Sequence, residues 1–295
     1  MIPKFLIWSL MLSLGLVACQ PQDQQRAHLP DTQPRRIVSL AGPITEIIFA
    51  ADLQDQLVGV DVTSTYPAAT DSLPRVGHNR NIAAEGVLAL NPDLVIGRAG
   101  ELKPEVEHQL RQAGVELILL EQTYSVAGTQ RLIHQVCDTL GRPSASGNLI
   151  DRLEADLALV KPLQPAPRAL FIYARGAGTL MVAGEGTQMQ EMFALAGAQN
   201  AVQGFSDFKP LTPEALVEAS PEVIVLFDTG LSSLDGPEGL MQVPGVAQTP
   251  AGERGAFIAM DGALLAGFGP RLGQAAAQLN AALSRWHQPT LAAQP

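Results

Sequence analysis

From residue 35 onward, short β-branched runs alternate with stretches whose apolar residues recur at helical spacing. Residues 36–40 (RIVSL) lead into Ala41-Gly42-Pro43, and residues 44–50 (ITEIIFA) then follow a helical period. Residues 57–60, 93–96 and 117–120 read as further strands, the last two each preceded by a helical stretch. A second series runs through residues 169–173, 222–226 and 255–260. Strands alternating with helices predict parallel βα units. Between the series, Leu149, Ile150, Leu153, Leu157 and Val160 recur at helical spacing with no strong breaker before Pro162. This predicts one long helix over 143–163 joining two lobes. Cys137 sits in a helical run with Leu132, Ile133, Val136 and Leu140, as a buried, inert thiol would.

The two series echo each other. Residues 85–96 (EGVLALNPDLVI) correspond to residues 214–225 (EALVEASPEVIV), with Glu and Pro seven positions apart in both. A duplicated βα unit explains this, although any helix–corner–strand unit shares some of the pattern. The expected fold class is α/β: two Rossmann-like lobes, 35–142 and 164–288, joined by the 143–163 helix, with a ligand cleft between them. Ligand contacts are expected from the loops at the carboxyl ends of the strands.

The N-terminus reads as an address. Residues 5–17 are almost wholly apolar, too few to span a bilayer and of the length of a secretory h-region. They end in Leu16-Val17-Ala18-Cys19, which resembles the bacterial lipobox, so Cys19 is the expected lipidated first residue after a signal peptide over 1–18. An ordinary signal peptide with a chance cysteine is the alternative. Residues 19–34 are polar and rich in Gln and Pro, a flexible tether. Residues 289–295 form a short tail. With Cys19 lipidated, Cys137 has no partner for an intramolecular disulfide.

Charge then narrows the partners. The 295-residue chain has 19 basic and 29 acidic residues, net −10. That argues against a nucleic-acid surface and against a polybasic membrane patch, leaving the lipid anchor as the membrane contact. The sequence has no Walker A run, no Gly-x-Gly-x-x-Gly after the first strand, no Gly-x-Ser-x-Gly elbow and no His-x-x-x-His pair. No nucleophile, base and orienter join into a catalytic set, so an enzyme is not expected.

The loop over 61–80 is long for such a protein, and long loops tend to carry function. It holds Thr63-Ser64-Thr65-Tyr66-Pro67 and Leu73-Pro74-Arg75-Val76-Gly77-His78-Asn79-Arg80. Tyr66 is one of three tyrosines, and the following proline biases it to extended backbone. A phenolate is a hard oxygen donor for ferric iron, and tyrosine serves as an axial haem ligand. A guanidinium within reach favours the phenolate, with Arg75 and Arg80 as candidates, or as grips for a carboxylate. On spacing alone, the favoured reading of Tyr66 is a half-buried loop tyrosine with no ligand.

These strings, with Ala84-Glu85-Gly86-Val87-Leu88, resemble the haem-specific periplasmic binding proteins of ABC importers, within the siderophore/cobalamin/haem superfamily. Lys209-Pro210-Leu211-Thr212-Pro213-Glu214, Pro244-Gly245-Val246-Ala247-Gln248-Thr249-Pro250-Ala251-Gly252 and Gly267-Phe268-Gly269-Pro270-Arg271 agree. The resemblance spans about residues 35–285. It implies a monomeric, extracytoplasmic carrier that captures haem b for iron uptake and hands it to an ABC permease with its ATPase. It implies Tyr66 as iron ligand. Arg75, Arg80, His78, Arg175 and Lys209 become candidates near the propionates, and Phe208 a candidate for porphyrin stacking. His78 departs from the family, standing where an aromatic is expected. Tyr173, Arg175, Met181 and Met189 lie nearest to where a second axial ligand would arise, and none is assigned. Glu85 and Glu214 are the implied permease-docking acids; as residues near helix starts they also complement the macrodipole. The same fold carrying a ferric siderophore or corrinoid is the alternative, and a cleft hydrolase or metal enzyme a more distant one.

Overall fold

The computed structural model describes residues 35–78, 81–178 and 180–286. The signal peptide, Cys19, the tether and the tail lie outside the described residues. The N-terminal half runs β1 (Ile37–Ser39), α1 (Gly42–Ala50), β2 (Leu57–Val60), α2 (Ala84–Leu88), β3 (Leu94–Arg98), α3 (Pro104–Gln112), β4 (Glu116–Leu120) and α4 (Val126–Thr139). Its strands form a parallel sheet in the order β2-β1-β3-β4. In β1, Ile37 belongs to the core shared with α1 and α4, while Val38 joins Val87, Val106 and Leu110 beneath α2 and α3. Both faces are covered, as a buried parallel sheet requires.

The connector α5 (Pro143–Leu157) starts with proline in its first turn. It is shorter than the periodicity predicts, stopping six residues before 163. Pro162 disfavours helical backbone at Lys161. Asn280 replaces the lost helical bonds there, accepting from the Lys161 N–H at 3.0 Å and donating to its carbonyl at 2.7 Å.

The C-terminal half continues with β5 (Arg168–Ala174), β6 (Leu180–Ala183), α6 (Gln188–Leu195), β7 (Gln199–Asn200), β8 (Phe208–Pro210), α7 (Pro213–Ala219), β9 (Val223–Phe227), α8 (Asp228–Ser232) and α9 (Gly236–Met241). It ends with α10 (Pro250–Arg254), β10 (Phe257–Met260), α11 (Gly262–Ala266) and α12 (Leu272–Trp286). The sheet order is β10-β9-β5-β6-β8, with β7 beside the start of β5. β10, β9 and β5 are parallel as predicted. β6 and β8 run antiparallel to their neighbours, a pair the expectation of parallel units omitted.

The echoed segments are α2–β3 and α7–β9, each a short helix leading into an interior strand. One continuous apolar cluster runs through both halves. It includes Cys137, which is fully buried. Burial pushes its thiol up from the ordinary value, with Asp138 adding to the rise. In a full-length Cys19→Ser variant, Cys137 should therefore label with a thiol reagent at neutral pH only as fast as the chain unfolds. Rapid labelling of the native protein would contradict this packing of α4.

Candidate functional site

The loop after β2 is tied down before Tyr66 is reached. Buried Asp61 accepts from the Thr63 N–H at 3.0 Å, from the Ser64 hydroxyl at 2.6 Å and from the Thr63 hydroxyl. Thr45 of α1 donates to Ser39 at 2.8 Å, and its hydroxyl lies 2.8 Å from that of Ser64. Arg75 clamps the same loop: its Nη1 donates to the carbonyls of Asp61 at 3.1 Å and Ser64 at 2.5 Å, and its Nη2 pairs with Asp71 at 3.2 Å. Gly42 allows α1 to come close, since a Cβ there would stand 3.0 Å from the Thr63 carbonyl oxygen. Tyr66 emerges from this braced turn 46% exposed, so it is not a core residue.

The guanidinium against Tyr66 is that of Arg271. Its Cζ lies 3.6 Å from the centre of the Tyr66 ring. Glu46 of α1 holds it along an edge, accepting from Nε at 2.8 Å and from Nη2 at 2.5 Å. The two side chains are 6% and 17% exposed for Glu46 and Arg271 respectively. Burial pushes the Glu46 carboxyl above its ordinary value, against the pull of Arg271 and with the help of Asp261. Burial acts against the Arg271 charge, but the Glu46 hydrogen bond and charge, with Tyr66 and Asp261, outweigh it, so Arg271 is a fixed cation.

Arg271 arrives on a segment of the C-terminal half that is fastened to the N-terminal half. Gln122 donates to the carbonyls of Gly267 at 3.0 Å and Phe268 at 3.1 Å, and Thr129 donates to Phe268 at 3.1 Å. Phe268 adopts φ +52°, costly for a bulky residue, and persists because these bonds and an edge-on contact with Tyr124 at 5.3 Å over-determine it. Gly269 passes Pro43 so closely that a Cβ would stand 3.1 Å from its Cα.

Beside this assembly lies a cavity of about 730 Å³, built from the carboxyl-end loops of both sheets. The volume is within the usual range for small-molecule sites, about 300–1,000 Å³. The N-terminal half lines it mainly with polar groups: Glu46, Thr63, Thr65, His78, Arg98 and Glu101. The C-terminal half supplies an aromatic wall of Phe171, Tyr173, Phe208 and Phe227. Phe227 meets Phe171 edge-on at 4.9 Å and Tyr173 at 6.2 Å, which fixes the wall's shape.

Phe208 and His78 thus line the cavity, as do Tyr173 and Met181. Tyr66 is not itself a lining residue; its neighbours Thr63 and Thr65 are, as is Glu46, which holds the arginine on its ring. Arg75 is a loop clamp, not the guanidinium on Tyr66. Met189 is fully buried in the core. Arg175 and Lys209 are exposed, beside Tyr173 and over the Phe205 ring respectively. Glu85 and Glu214 are exposed near the starts of α2 and α7. Arg80 lies outside the described residues.

Sequence reasoning missed two arginines. Arg271 stood in a quoted string, Gly-Phe-Gly-Pro-Arg, without a role. Arg98, at the end of β3, pairs with Glu101 at 3.0 Å and donates to the Tyr124 hydroxyl at 2.8 Å while lining the cavity. Among the described residues, no group of three or more His, Cys, Asp or Glu is placed to hold a metal ion. Nor is any helix among them long and apolar enough to cross a membrane.

Two α/β halves bridged by a helix, with a cleft at the strand ends, define a binding protein that holds a small ligand between lobes. The chain belongs to the periplasmic binding protein family, whose model matches residues 37–264. It is similar to the periplasmic heme-binding protein RhuT from Roseiflexus sp. RS-1 in its apo form: 42% identity, TM-score 0.84, covering 87% of this chain and 100% of that one. It is 27% identical over 203 residues to the uncharacterized ABC transporter substrate-binding lipoprotein YvrC of Bacillus subtilis (strain 168), covering 66% of this chain and 64% of that protein. A vitamin B12-binding protein of Vibrio vulnificus (strain CMCP6) is 28% identical over 229 residues, 77% of this chain and 81% of that protein.

Arg271→Ala leaves Glu46 as a buried carboxyl with no cation. Its native proton affinity, already raised by burial, rises further while the unfolded chain keeps the ordinary value. A raised native value gives stability below the unfolded pKa that is lost as pH climbs through the native one. The variant should lose about 3 kcal/mol at neutral pH, the low end for breaking a buried pair because Arg271 is only partly buried. The loss should shrink on acidification towards about pH 4, where carboxyls protonate. Urea unfolding at the two pH values measures it; equal losses would mean that Glu46 buries no charge.

Proposed function

We infer that the protein is an extracytoplasmic, lipid-anchored haem carrier that delivers haem b to an ABC importer. The observation that carries this reading is the half-exposed Tyr66 phenol, set on a braced loop, backed by a partly buried, charge-paired arginine and flanked by a cleft with an aromatic wall. A ferric porphyrin is suited by a hard oxygen donor such as a tyrosine phenolate for its iron, flat apolar contact for its ring and cations for its propionates. Tyr66 is the iron ligand in this scheme. The Arg271 guanidinium lies on the ring that carries the phenolate's charge, where it offsets that charge without occupying the oxygen. Phe208 stacks on the porphyrin with the neighbouring aromatics. Arg175 and Lys209 serve the propionates from the rim, and His78 from the wall; Arg80, outside the described residues, is a further candidate from its sequence position alone. No bond of the ligand is made or broken.

The name of the RhuT relative supports this ligand, and the vitamin B12-binding relatives make a corrinoid the second reading. The donor set favours haem, because a corrinoid brings its own axial base and leaves a protein phenolate without a task. Cys19 anchors the chain to a membrane, and Glu85 and Glu214 orient it on the permease, one from each echoed unit. Exposed acids on two lobes set docking orientation more than affinity.

Hemin titrated into the full-length chain in detergent should give a saturable Soret band with a high-spin ferric phenolate signature. Tyr66→Phe should weaken binding at least about tenfold, or 1.4 kcal/mol. Saturable cyanocobalamin binding with no hemin binding would transfer the assignment to the corrinoid. The pair Glu85→Ala and Glu214→Ala should leave the hemin titration unchanged and abolish delivery to permease-containing vesicles; unchanged delivery would remove these acids from the docking surface.

A further inference from the structure

Glu46 poses a problem that the haem scheme does not solve. It is a nearly fully buried acid at the wall of a cleft assigned to an anionic ligand. Burying an ion pair gains little for the fold, since an apolar pair of similar volume is often as stable. Both Glu46 oxygens are committed to one partner in a two-point grip: Oε2 takes Nε of Arg271 at 2.8 Å and Oε1 takes Nη2 at 2.5 Å. An arginine side chain has about 2 kcal/mol of rotamer entropy and five donors. Left unheld, this one would also be drawn towards Tyr66 and Asp261, both of which attract its charge. Held as it is, the guanidinium is confined to the face of the Tyr66 ring, with Cζ 3.6 Å from the ring centre. Glu46 is itself set by α1, which the Thr45 hydroxyl ties to the loop bearing Tyr66.

We propose that Glu46 is a positioning residue for the ligand-binding phenol: it fixes Arg271 on the face of Tyr66, so that the hydroxyl stays free for the iron while its charge is offset. This rests on the haem reading. Glu46 touches neither the iron nor the porphyrin in this role and acts wholly through Arg271.

The test is a double-mutant cycle on the full-length chain loaded with hemin, read by dissociation into excess apomyoglobin and by the iron–phenolate charge-transfer band. Glu46→Ala should speed hemin loss about ten- to a hundredfold, the usual penalty for removing the partner of a ligand-orienting group. Its charge-transfer band should move to the position seen in Arg271→Ala. Glu46→Gln, which keeps the shape and one acceptor, should lie between Glu46→Ala and the parent in both readouts. Adding Glu46→Ala to Arg271→Ala should change dissociation by less than about twofold, because contacting residues that act as one unit are non-additive. If Glu46→Ala does not fold, Glu46→Gln and the charge-free double variant decide the question. Hemin binding with parent-like bands and dissociation in both Glu46 variants would overturn the positioning role while leaving the haem reading intact. So would a Glu46→Ala effect that persists undiminished in the Arg271→Ala background. Failure of the parent chain to bind hemin overturns the haem reading, and this role with it.

Discussion

The buried pair between Glu46 and Arg271 joins the two ends of the folded chain, 225 positions apart in sequence. Around it the fold has arranged its least ordinary backbone. Phe268 is held at positive φ, Gly269 slips past Pro43, and Gln122 and Thr129 take up the carbonyls of a segment crossing from the other half. Each detail serves to deliver one guanidinium to one tyrosine ring. A residue in a strained conformation persists only where its surroundings over-determine it. Here they do so beside the loop whose length and chemistry single it out in the sequence.

The cleft divides its labour between halves. The N-terminal half offers hydroxyls, charged groups and the braced tyrosine loop; the C-terminal half offers interlocked aromatic rings. This division follows from topology. Parallel strands bring their carboxyl-end loops to one edge, and polar backbone and short polar side chains gather there. The antiparallel β6 and β8 add a second kind of surface. They set Met181 and Phe208 beside the end of β5, where Tyr173 points the aromatic series into the same cavity. A flat ligand with one hard centre and a wide apolar ring matches such a surface better than a compact polar one.

The interior parallel strands were legible because each is a short β-branched run bounded by turn residues, and their terminal loops followed at once. Thr63, Thr65, Arg98, Asp228 and Asp261, all in or next to those loops, line the cavity. The antiparallel pair was not legible. β6 has four residues, too few for an alternation to register, and β8 carries Pro210 at the sheet's edge, where proline is tolerated but argues against a strand. The connecting helix was overextended because Val160 continued the period that Pro162 and Asn280 end. Tyr66 was legible as a candidate from its scarcity and its loop. Its arginine was not, because spacing points to neighbours such as Arg75, and Arg75 is consumed by the carbonyls of its own loop. Only the tertiary fold brings Arg271 to the ring.

The charge of the cleft looks wrong for a ligand with two carboxylates until each acid is followed to its partner. Glu46, Glu101, Asp228 and Asp261 all line the cavity of a chain with net charge −10. Glu46 is neutralised by Arg271, and Glu101 by Arg98 at 3.0 Å. Asp228 accepts from the Thr229 N–H at 2.6 Å, and Asp261 from the Leu264 N–H at 2.8 Å, each turned to the backbone of its own helix start. A carboxylate satisfied by backbone donors or paired with a guanidinium projects far less field than a bare one, since opposite charge a few ångströms away cancels most of it beyond that distance. The floor of the cleft is therefore close to locally neutral, and the ordering of cations matters more than their number. Arg271 and Arg98 are tied up by Glu46 and Glu101, acids that line the cleft, whereas Arg175 and Lys209 stand exposed near its aromatic side. In the haem scheme this ordering sets the ligand's direction: the iron meets the N-terminal half at Tyr66, the ring lies on the aromatic wall, and the propionates turn outwards to the exposed cations.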